Sequence, residues 1–346
     1  MPVRDAVMSL LRDLGMTTVF GNPGSTELRF LSDWPADFRY VVALHEGCSV
    51  AMADAYAQLS GTAAFVNLHS AGGLGNAMGS VFSAFKNQAP LVITAGQQTR
   101  AMFPSVPFLF AQDAVALPQP YVKWACEPAR AEDVPVAIAR AHRIAMQPPL
   151  GPTFVSIPED DWERETTRVA ARTVDARFRA SEAALDMLVE AFATRSKPAL
   201  VVGPGVDRDG ASDATVALAE RTGAAAFVSP LSSRCGFPER HPHFAGFLPP
   251  VRTQLVEMLR AYDFVLVLGA PVFTYHVFTD GPPIAADTLL VQLTDDPAAA
   301  AAAALGTSVL TTLREPLEEL VRRLPARAKP APPASTFARP AALPAT

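Results

Sequence analysis

Ala63-Ala64-Phe65-Val66-Asn67-Leu68-His69-Ser70-Ala71-Gly72-Gly73-Leu74-Gly75-Asn76-Ala77-Met78-Gly79 is the stretch whose pattern decides the fold. Its first six residues read as a strand, a glycine-rich turn follows, and a helix then runs through Phe85. Strand, turn and helix in that order make half of a crossover unit, and the same rhythm extends in both directions. Upstream, Ala6, Val7, Leu10, Leu11 and Leu14 share one helical stripe that Gly15 ends. Thr17-Thr18-Val19-Phe20 is a short buried strand stopped by Gly21-Asn22-Pro23-Gly24, and Tyr40-Val41-Val42-Ala43-Leu44 is a second strand with a helix from Gly47 to about Leu59 after it. Downstream come strands at Leu91-Val92-Ile93-Thr94-Ala95 and at Thr153-Phe154-Val155-Ser156-Ile157, the latter stopped by Pro158. Alternation of this kind predicts a parallel sheet with helices on both faces.

A second α/β pattern has strands at Ala199-Leu200-Val201-Val202, near 225–228, at Phe264-Val265-Leu266-Val267-Leu268 and at Leu289-Leu290-Val291-Gln292-Leu293. Ala298 to Ala304 reads as an alanine helix core, and 313–324 as a last amphipathic helix. The chain is therefore α/β, with two doubly wound parallel-sheet domains. The expected divisions are a first domain at 1–165, a linker at 166–180 within the charged stretch that begins at Glu159, a second domain at 181–324, and a tail at 325–346. In that tail 14 of 22 residues are Pro or Ala, a composition that favours an extended linker.

A length of 346 residues suits two domains, and a hydrophobic content of 49% against 18% charged residues can fill two cores. No run of 18 or more apolar residues is present, which argues against a membrane span. The opening Met1-Pro2-Val3-Arg4-Asp5-Ala6 lacks the apolar region of a secretory signal. With 29 Lys and Arg against 34 Asp and Glu, the net charge of −5 builds no basic field for nucleic acid. Cys48, Cys126 and Cys235 are odd in number and far apart, so neither a disulfide framework nor a zinc site is expected. The expected location is the cytoplasm.

Ligands of parallel α/β sheets gather at the carboxyl ends of the strands. Those ends carry Gly24, Ser25 and Thr26, then His45 and Glu46, then His69 and Ser70, then Gln97 and Gln98, and in the second domain Gly269-Ala270-Pro271 and His276. Each has a plainer reading as well. Ser25 is placed to cap a helix, Glu46 sits where a helix dipole favours a carboxylate, and either histidine could be structural. Cys48 beside Glu46 fits a small helix-face residue better than a thiol nucleophile. Gly73-Leu74-Gly75-Asn76-Ala77-Met78-Gly79 imitates a dinucleotide loop with the wrong spacing.

Taken together, Gly21-Asn22-Pro23-Gly24-Ser25, Leu44-His45-Glu46-Gly47-Cys48, Asn67 to Gly73 and Gly75 to Gly79 resemble thiamine-diphosphate-dependent 2-oxo acid decarboxylases. Thr94 to Met102, Val122-Lys123-Trp124, Pro158 to Trp162 and Gly269 to His276 narrow the resemblance to the benzoylformate decarboxylase branch. The resemblance implies a pyrimidine-binding first domain and a middle domain. It implies that Glu46 bonds the aminopyrimidine ring of thiamine diphosphate and promotes formation of the ylid, with Asn22, Pro23, Gly24, Gly72 and Asn76 beside the cofactor. His69 and His276 match the histidines assigned to proton transfer, and Ser25 matches the serine that bonds the substrate carboxylate. Phe108 and Leu109 fall where the family lines its aryl pocket. The implied reaction is the non-oxidative conversion of benzoylformate to benzaldehyde and carbon dioxide.

Family members carry a third domain whose Gly-Asp-Gly motif holds Mg²⁺ or Ca²⁺ on the diphosphate, and this chain contains no Gly-Asp-Gly. Metal ligands are therefore expected on the missing domain and none on this chain. Ala116-Leu117-Pro118-Gln119 also lacks the Asn that the family can offer to a second metal. The expectation that follows is one half of a split enzyme, working with a separate diphosphate-binding chain, as a homo-oligomer or a heteromer. The alternatives are a truncated or non-catalytic protein that keeps the fold, or an acetolactate-synthase-like carboligase subunit, for which Gly203-Pro204-Gly205 is too slight a flavin loop.

Overall fold

The computed structural model describes residues 1–325, so the expected Pro/Ala tail lies outside the described residues apart from Pro325. The chain divides into two compact units, Met1–Ala176 and Arg177–Thr346.

The first unit holds six strands, β1 (Thr18–Asn22), β2 (Arg39–Val42), β3 (Ala64–Leu68), β4 (Leu91–Gln97), β5 (Ala125–Cys126) and β6 (Thr153–Pro158). All pair in parallel in the order β2-β1-β3-β4-β6-β5. Its helices are α1 (Val3–Asp13), α2 (Leu28–Leu31), α3 (Glu46–Ser60), α4 (Ser70–Lys86) and α5 (Val134–Ala145). The period of two along each strand sends alternate residues to opposite faces. Val19, Phe65, Val92 and Val155 pack with the buried stripe of α1 and with α5, whereas Phe20, Val66, Ile93 and Phe154 pack under α3 and α4. Each fully buried Phe or Val contributes about 1.5–3 kcal/mol by leaving water. Gly15 ends α1 and Gly61 ends α3, both at positive φ, where a side chain would be strained.

The second unit repeats the scheme with β7 (Pro198–Val202), β8 (Ala225–Val228), β9 (Phe244–Phe247), β10 (Phe264–Leu268), β11 (Leu289–Thr294) and β12 (Thr307–Leu310). These strands are also parallel, in the order β12-β11-β10-β7-β8-β9. Its helices are α6 (Glu182–Thr194), α7 (Pro204–Arg208), α8 (Ser212–Thr222), α9 (Arg252–Leu259), α10 (Pro297–Ala301) and α11 (Arg314–Arg323). The strand order reverses between β7 and β10, where a doubly wound sheet opens its crevice. Here the two loops close on each other. Gly203 N donates to Leu268 O at 2.8 Å, Gly205 N to Gly269 O at 3.0 Å, and a Cβ on Gly205 would lie 2.7 Å from Gly269 Cα. Gly203-Pro204-Gly205 thus serves backbone packing rather than a phosphate.

Four local readings of the sequence need correction. No turn separates β3 from α4, because the helix begins at Ser70 and carries Gly72, Gly73, Gly75 and Gly79 within it. The alanine helix stops at Ala301, since Gly306, at positive φ, turns the chain into β12. The charged stretch after Pro158 is folded at its start, where Glu159–Glu163 forms a 3₁₀ turn with Asp161 and Trp162 buried. Strands β5, β9 and β12 were not expected. The first has two residues, the second is interrupted by a bulge and by Gly246, and the third is a partly polar edge.

Candidate functional site

The strand order of the first unit reverses between β1 and β3, and the segments leaving these two strands meet there. Gly24, in extended conformation, caps a 3₁₀ turn at Ser25–Glu27, and the Glu27 side chain returns to accept from Gly24 N at 2.8 Å. Only 1% of Glu27 is exposed, and its other partners are two donors and an imidazole nitrogen. Gly96 N lies 2.9 Å from Oε1, Thr26 Oγ1 2.7 Å from Oε1, and His69 Nδ1 2.9 Å from Oε2. Glycine is required on both sides of this arrangement. A Cβ on Gly96 would stand 2.2 Å from Glu27 Oε1, and one on Gly24 would stand 2.3 Å from His69 Nδ1. His69, the residue before α4, keeps about a quarter of its side chain exposed.

Ser25 does not cap the turn. It is exposed, and its hydroxyl makes no hydrogen bond among the described residues, so the capping role belongs to Gly24 with Glu27. Asn22 and Pro23 are half-buried beside it. Beneath the site, Tyr40 Oη donates to Asn67 Oδ1 at 3.2 Å, and Asn67 Nδ2 donates to Thr94 Oγ1 at 3.2 Å. Burial, with the charge of Glu27 added to it, pushes the Tyr40 hydroxyl well above the usual phenol range.

Glu46 opens α3 behind His45, whose Nδ1 accepts from Gly47 N at 3.0 Å and caps the helix. The Glu46 carboxylate is buried, with 8% of the residue exposed. Asn76 Nδ2 donates to Oε2 at 3.1 Å, while Oε1 has no hydrogen-bond partner among the described residues. Gly73 links the two parts of the site, since its absent Cβ would meet Glu46 Oε1 at 3.1 Å and His69 Cβ at 3.5 Å. Gly72, Gly75 and Gly79 face open space instead. The site therefore presents an oriented carboxylate with one free oxygen, an imidazole with one free nitrogen and an unpaired hydroxyl on the exit ends of β1 to β3.

The loop after β4 carries Phe108 and Leu109. Gln97, fully buried, holds it by a paired contact, Nε2 donating to Ala111 O at 2.9 Å and Oε1 accepting from Ala111 N at 3.0 Å. Arg100 adds a bidentate bond to the buried Asp161 at 2.7 and 2.8 Å. Phe108 itself is 100% exposed and Leu109 half-buried, so within this unit neither closes a pocket. His276 belongs to the second unit, in the exposed segment after β10, where its backbone N donates to Pro250 O at 2.9 Å. Cys48 is exposed and unpaired in a disulfide, as are Cys126, partly buried, and Cys235.

Glu27, Gly96 and Gly73 were not singled out from the sequence. For Glu27 a signal existed, because Gly24-x-x-Glu27 has the spacing of a capping box. For the glycines there was none, since only the tertiary structure shows which side chain fills the space of the missing Cβ.

Comparison with known proteins finds relatives for both units. Residues 1–114 match the thiamine pyrophosphate enzyme N-terminal TPP binding domain, and residues 185–320 match the thiamine pyrophosphate enzyme central domain. The chain is 45% identical to benzoylformate decarboxylase of Pseudomonas aeruginosa over 345 residues, which is 99% of this chain and 65% of that protein. It superimposes on the 4-hydroxybenzoylformate decarboxylase of Rhodococcus jostii RHA1 with a TM-score of 0.94 at 41% identity, covering 99% of this chain and 66% of the other. Benzoylformate decarboxylase of Polynucleobacter necessarius gives a TM-score of 0.92 at 41% identity over 95% of this chain and 62% of its own. The chain thus spans about two thirds of the length of these relatives. No helix among the described residues is long and apolar enough to cross a membrane. The chain belongs to the thiamine pyrophosphate enzymes and comprises their N-terminal TPP binding domain and central domain.

Proposed function

We propose that this chain supplies the pyrimidine-binding half of a thiamine-diphosphate site that decarboxylates an aromatic 2-oxo acid, benzoylformate or a close analogue. The observation that carries the reading is the Glu46 carboxylate, buried, held by Asn76 on one oxygen and free of protein partners on the other. A desolvated carboxylate with an open oxygen fits a ring nitrogen that must be held and exchanged with a proton, and helix glycines without neighbours leave room for a planar ring. When bound, thiamine diphosphate supplies the nucleophile and the electron sink for loss of carbon dioxide. In this reading Glu46 Oε1 holds the proton shared with the cofactor ring, and Asn76 fixes the rotamer that points it there.

Ser25 Oγ, unpaired and exposed, bonds the substrate carboxylate. His69 Nε2, the ring nitrogen without a hydrogen-bond partner among the described residues, holds the proton delivered to the reacting carbon. Phe108 and Leu109 offer apolar surface to the aryl group, and Asn22, Pro23, Gly24 and Gly72 border the cofactor. The diphosphate and its Mg²⁺ or Ca²⁺ are held by residues outside the described ones, on a separate diphosphate-binding chain, and the working enzyme is an oligomer.

The test is reconstitution. The purified chain is mixed with a separately produced diphosphate-binding domain, thiamine diphosphate, magnesium and benzoylformate, and benzaldehyde is followed. Turnover is expected, with a loss of roughly 10²-fold or more in Glu46→Gln, the scale of a missing acid–base group. Full activity in that variant defeats the assignment of Glu46.

A further inference from the structure

We propose that Glu27 is a positioning residue for His69, fixing its hydrogen on Nδ1 and so reserving Nε2 for proton transfer. The proposal deepens the decarboxylase reading and rests on it for its catalytic meaning, while its structural half stands on contacts within the first unit. A carboxylate offers about four lone-pair directions, two on each oxygen. At Glu27 three are filled by donors and the fourth faces His69 Nδ1. Oε1 accepts from Gly96 N at 2.9 Å and Thr26 Oγ1 at 2.7 Å, and Oε2 accepts from Gly24 N at 2.8 Å and faces His69 Nδ1 at 2.9 Å. Two of the donors are backbone amides, which cannot reverse their role, and Thr26 has spent its hydrogen on Oε1. Nothing is left for His69 Nδ1 to accept, so it is the donor. The Thr26 hydroxyl, 3.1 Å from the same nitrogen, can receive a share of that hydrogen.

Two consequences follow. In the neutral ring the hydrogen sits on Nδ1, the less usual tautomer of a free imidazole, and Nε2 carries the open lone pair. In the cation Nε2–H is the hydrogen that can leave, because Nδ1–H is held by a buried carboxylate. The ring packs on the Gly24 backbone, with Nδ1 only 2.3 Å from where a Cβ would be, a seat that is open because the residue is glycine. An orienting carboxylate behind a histidine sets which nitrogen does chemistry.

The experiment is nitrogen NMR of the intact chain labelled in histidine, with the His69 resonances assigned through His69→Gln. The expected result for the unaltered chain with the ring neutral is an Nδ1–H tautomer with Nε2 unprotonated. Glu27→Gln, whose amide adds a donor among donors, should move His69 towards Nε2–H, and Glu27→Asp should retain Nδ1–H. An Nε2–H tautomer in the unaltered chain overturns the proposal, and this readout needs no variant to fold. With the reconstituted complex, Glu27→Gln should lower kcat on the order of 10²-fold with KM little changed, and Glu27→Asp should recover part of it. Equal kcat in Glu27→Gln and the unaltered complex also overturns it. A complex that turns over no 2-oxo acid, with the Nδ1–H tautomer present, defeats the decarboxylase reading and leaves the assignment of His69 geometry supported.

Discussion

A side chain on Gly73 would stand 3.1 Å from Oε1 of Glu46, closer than nearly all real contacts of a Cβ. Gly73 is in the first turn of α4, where Ala would favour the helix by up to about 1 kcal/mol. Glycine at this position therefore trades helix stability for an undisturbed carboxylate. Gly75, two residues on and so roughly on the opposite face of α4, has nothing within 4 Å. Gly75→Ala should raise the thermal midpoint by about 2–4 °C. Gly73→Ala should gain less or lose, and should weaken turnover in the reconstituted complex. Calorimetric melting of both variants checks this, and an equal gain at the two positions contradicts it.

Gly24 is constrained more tightly. Its absent Cβ would fall 2.3 Å from His69 Nδ1, and the imidazole is held by Glu27 and cannot yield freely. Gly24→Ala should destabilise the first unit by roughly 1–3 kcal/mol, the range for forcing atoms into a filled space. Urea denaturation measures it, and a neutral substitution would show that the ring moves aside easily.

Arg100 and Asp161 brace the loop of Phe108. Asp161 is buried, and Arg100 reaches it with two nitrogens while also bonding Pro128 O at 2.6 Å. Asp161→Ala should cost about 3 kcal/mol, as removal of one partner from a largely buried pair does. Hydrogen exchange should quicken most between residues 98 and 118. Unchanged protection there would mean that Gln97 alone holds the loop.

His142 on α5 sets an acid sensitivity. Burial first, and the charge of Arg143 second, hold its imidazole below the usual histidine range, and its Nδ1 is buried without a partner. The unfolded chain then binds the proton more readily than the folded one. Stability from this residue is complete above the unfolded value of about 6.5 and declines as pH falls from there towards the lower folded value. His142→Leu should flatten this part of the stability curve. A slope that persists in the variant assigns it to another group.

Much of the fold was legible because buried parallel strands leave unbroken apolar runs, as at Ala63–Val66 and Phe264–Leu268, and because Gly15 and Gly61 mark helix ends. What escaped was short or edge structure such as β5 and β12, whose residues carry little apolar signal. The glycines of 72–79 misled for a physical reason. They suggest a turn by composition, yet α4 continues through them, and at Gly73 the space is needed by Glu46. Of the candidates the sequence offered, Ser25, Glu46 and His69 lie on the exit ends of the first unit's strands, and His276 lies in the second unit. Glu27 was not among them, because its meaning lies in four groups contributed by Gly24, Thr26, Gly96 and His69, the last two from elsewhere along the chain.

The exposed apolar residues near the Glu46 helix bear on assembly. Leu44 is 99% exposed and Leu59 90%, and Met52, Tyr56 and Phe82 are exposed as well. Met52, Tyr56 and Leu59 recur at helical spacing along α3, and an apolar stripe left exposed marks a contact surface. The chain should sediment as a dimer or larger species, and Leu59→Glu with Tyr56→Lys should shift it towards monomer. A clean monomer for the unaltered chain contradicts the oligomer.

The central claim, that this chain offers the pyrimidine side of a divided thiamine-diphosphate site, is tested most directly by calorimetric titration with thiamine diphosphate and magnesium. The titration is run on the chain alone and again with the separate diphosphate-binding domain. The account predicts no appreciable heat of binding for the chain alone, and saturable binding with the partner that Glu46→Gln greatly weakens. Tight binding by the chain alone, or none in the presence of the partner, would contradict it.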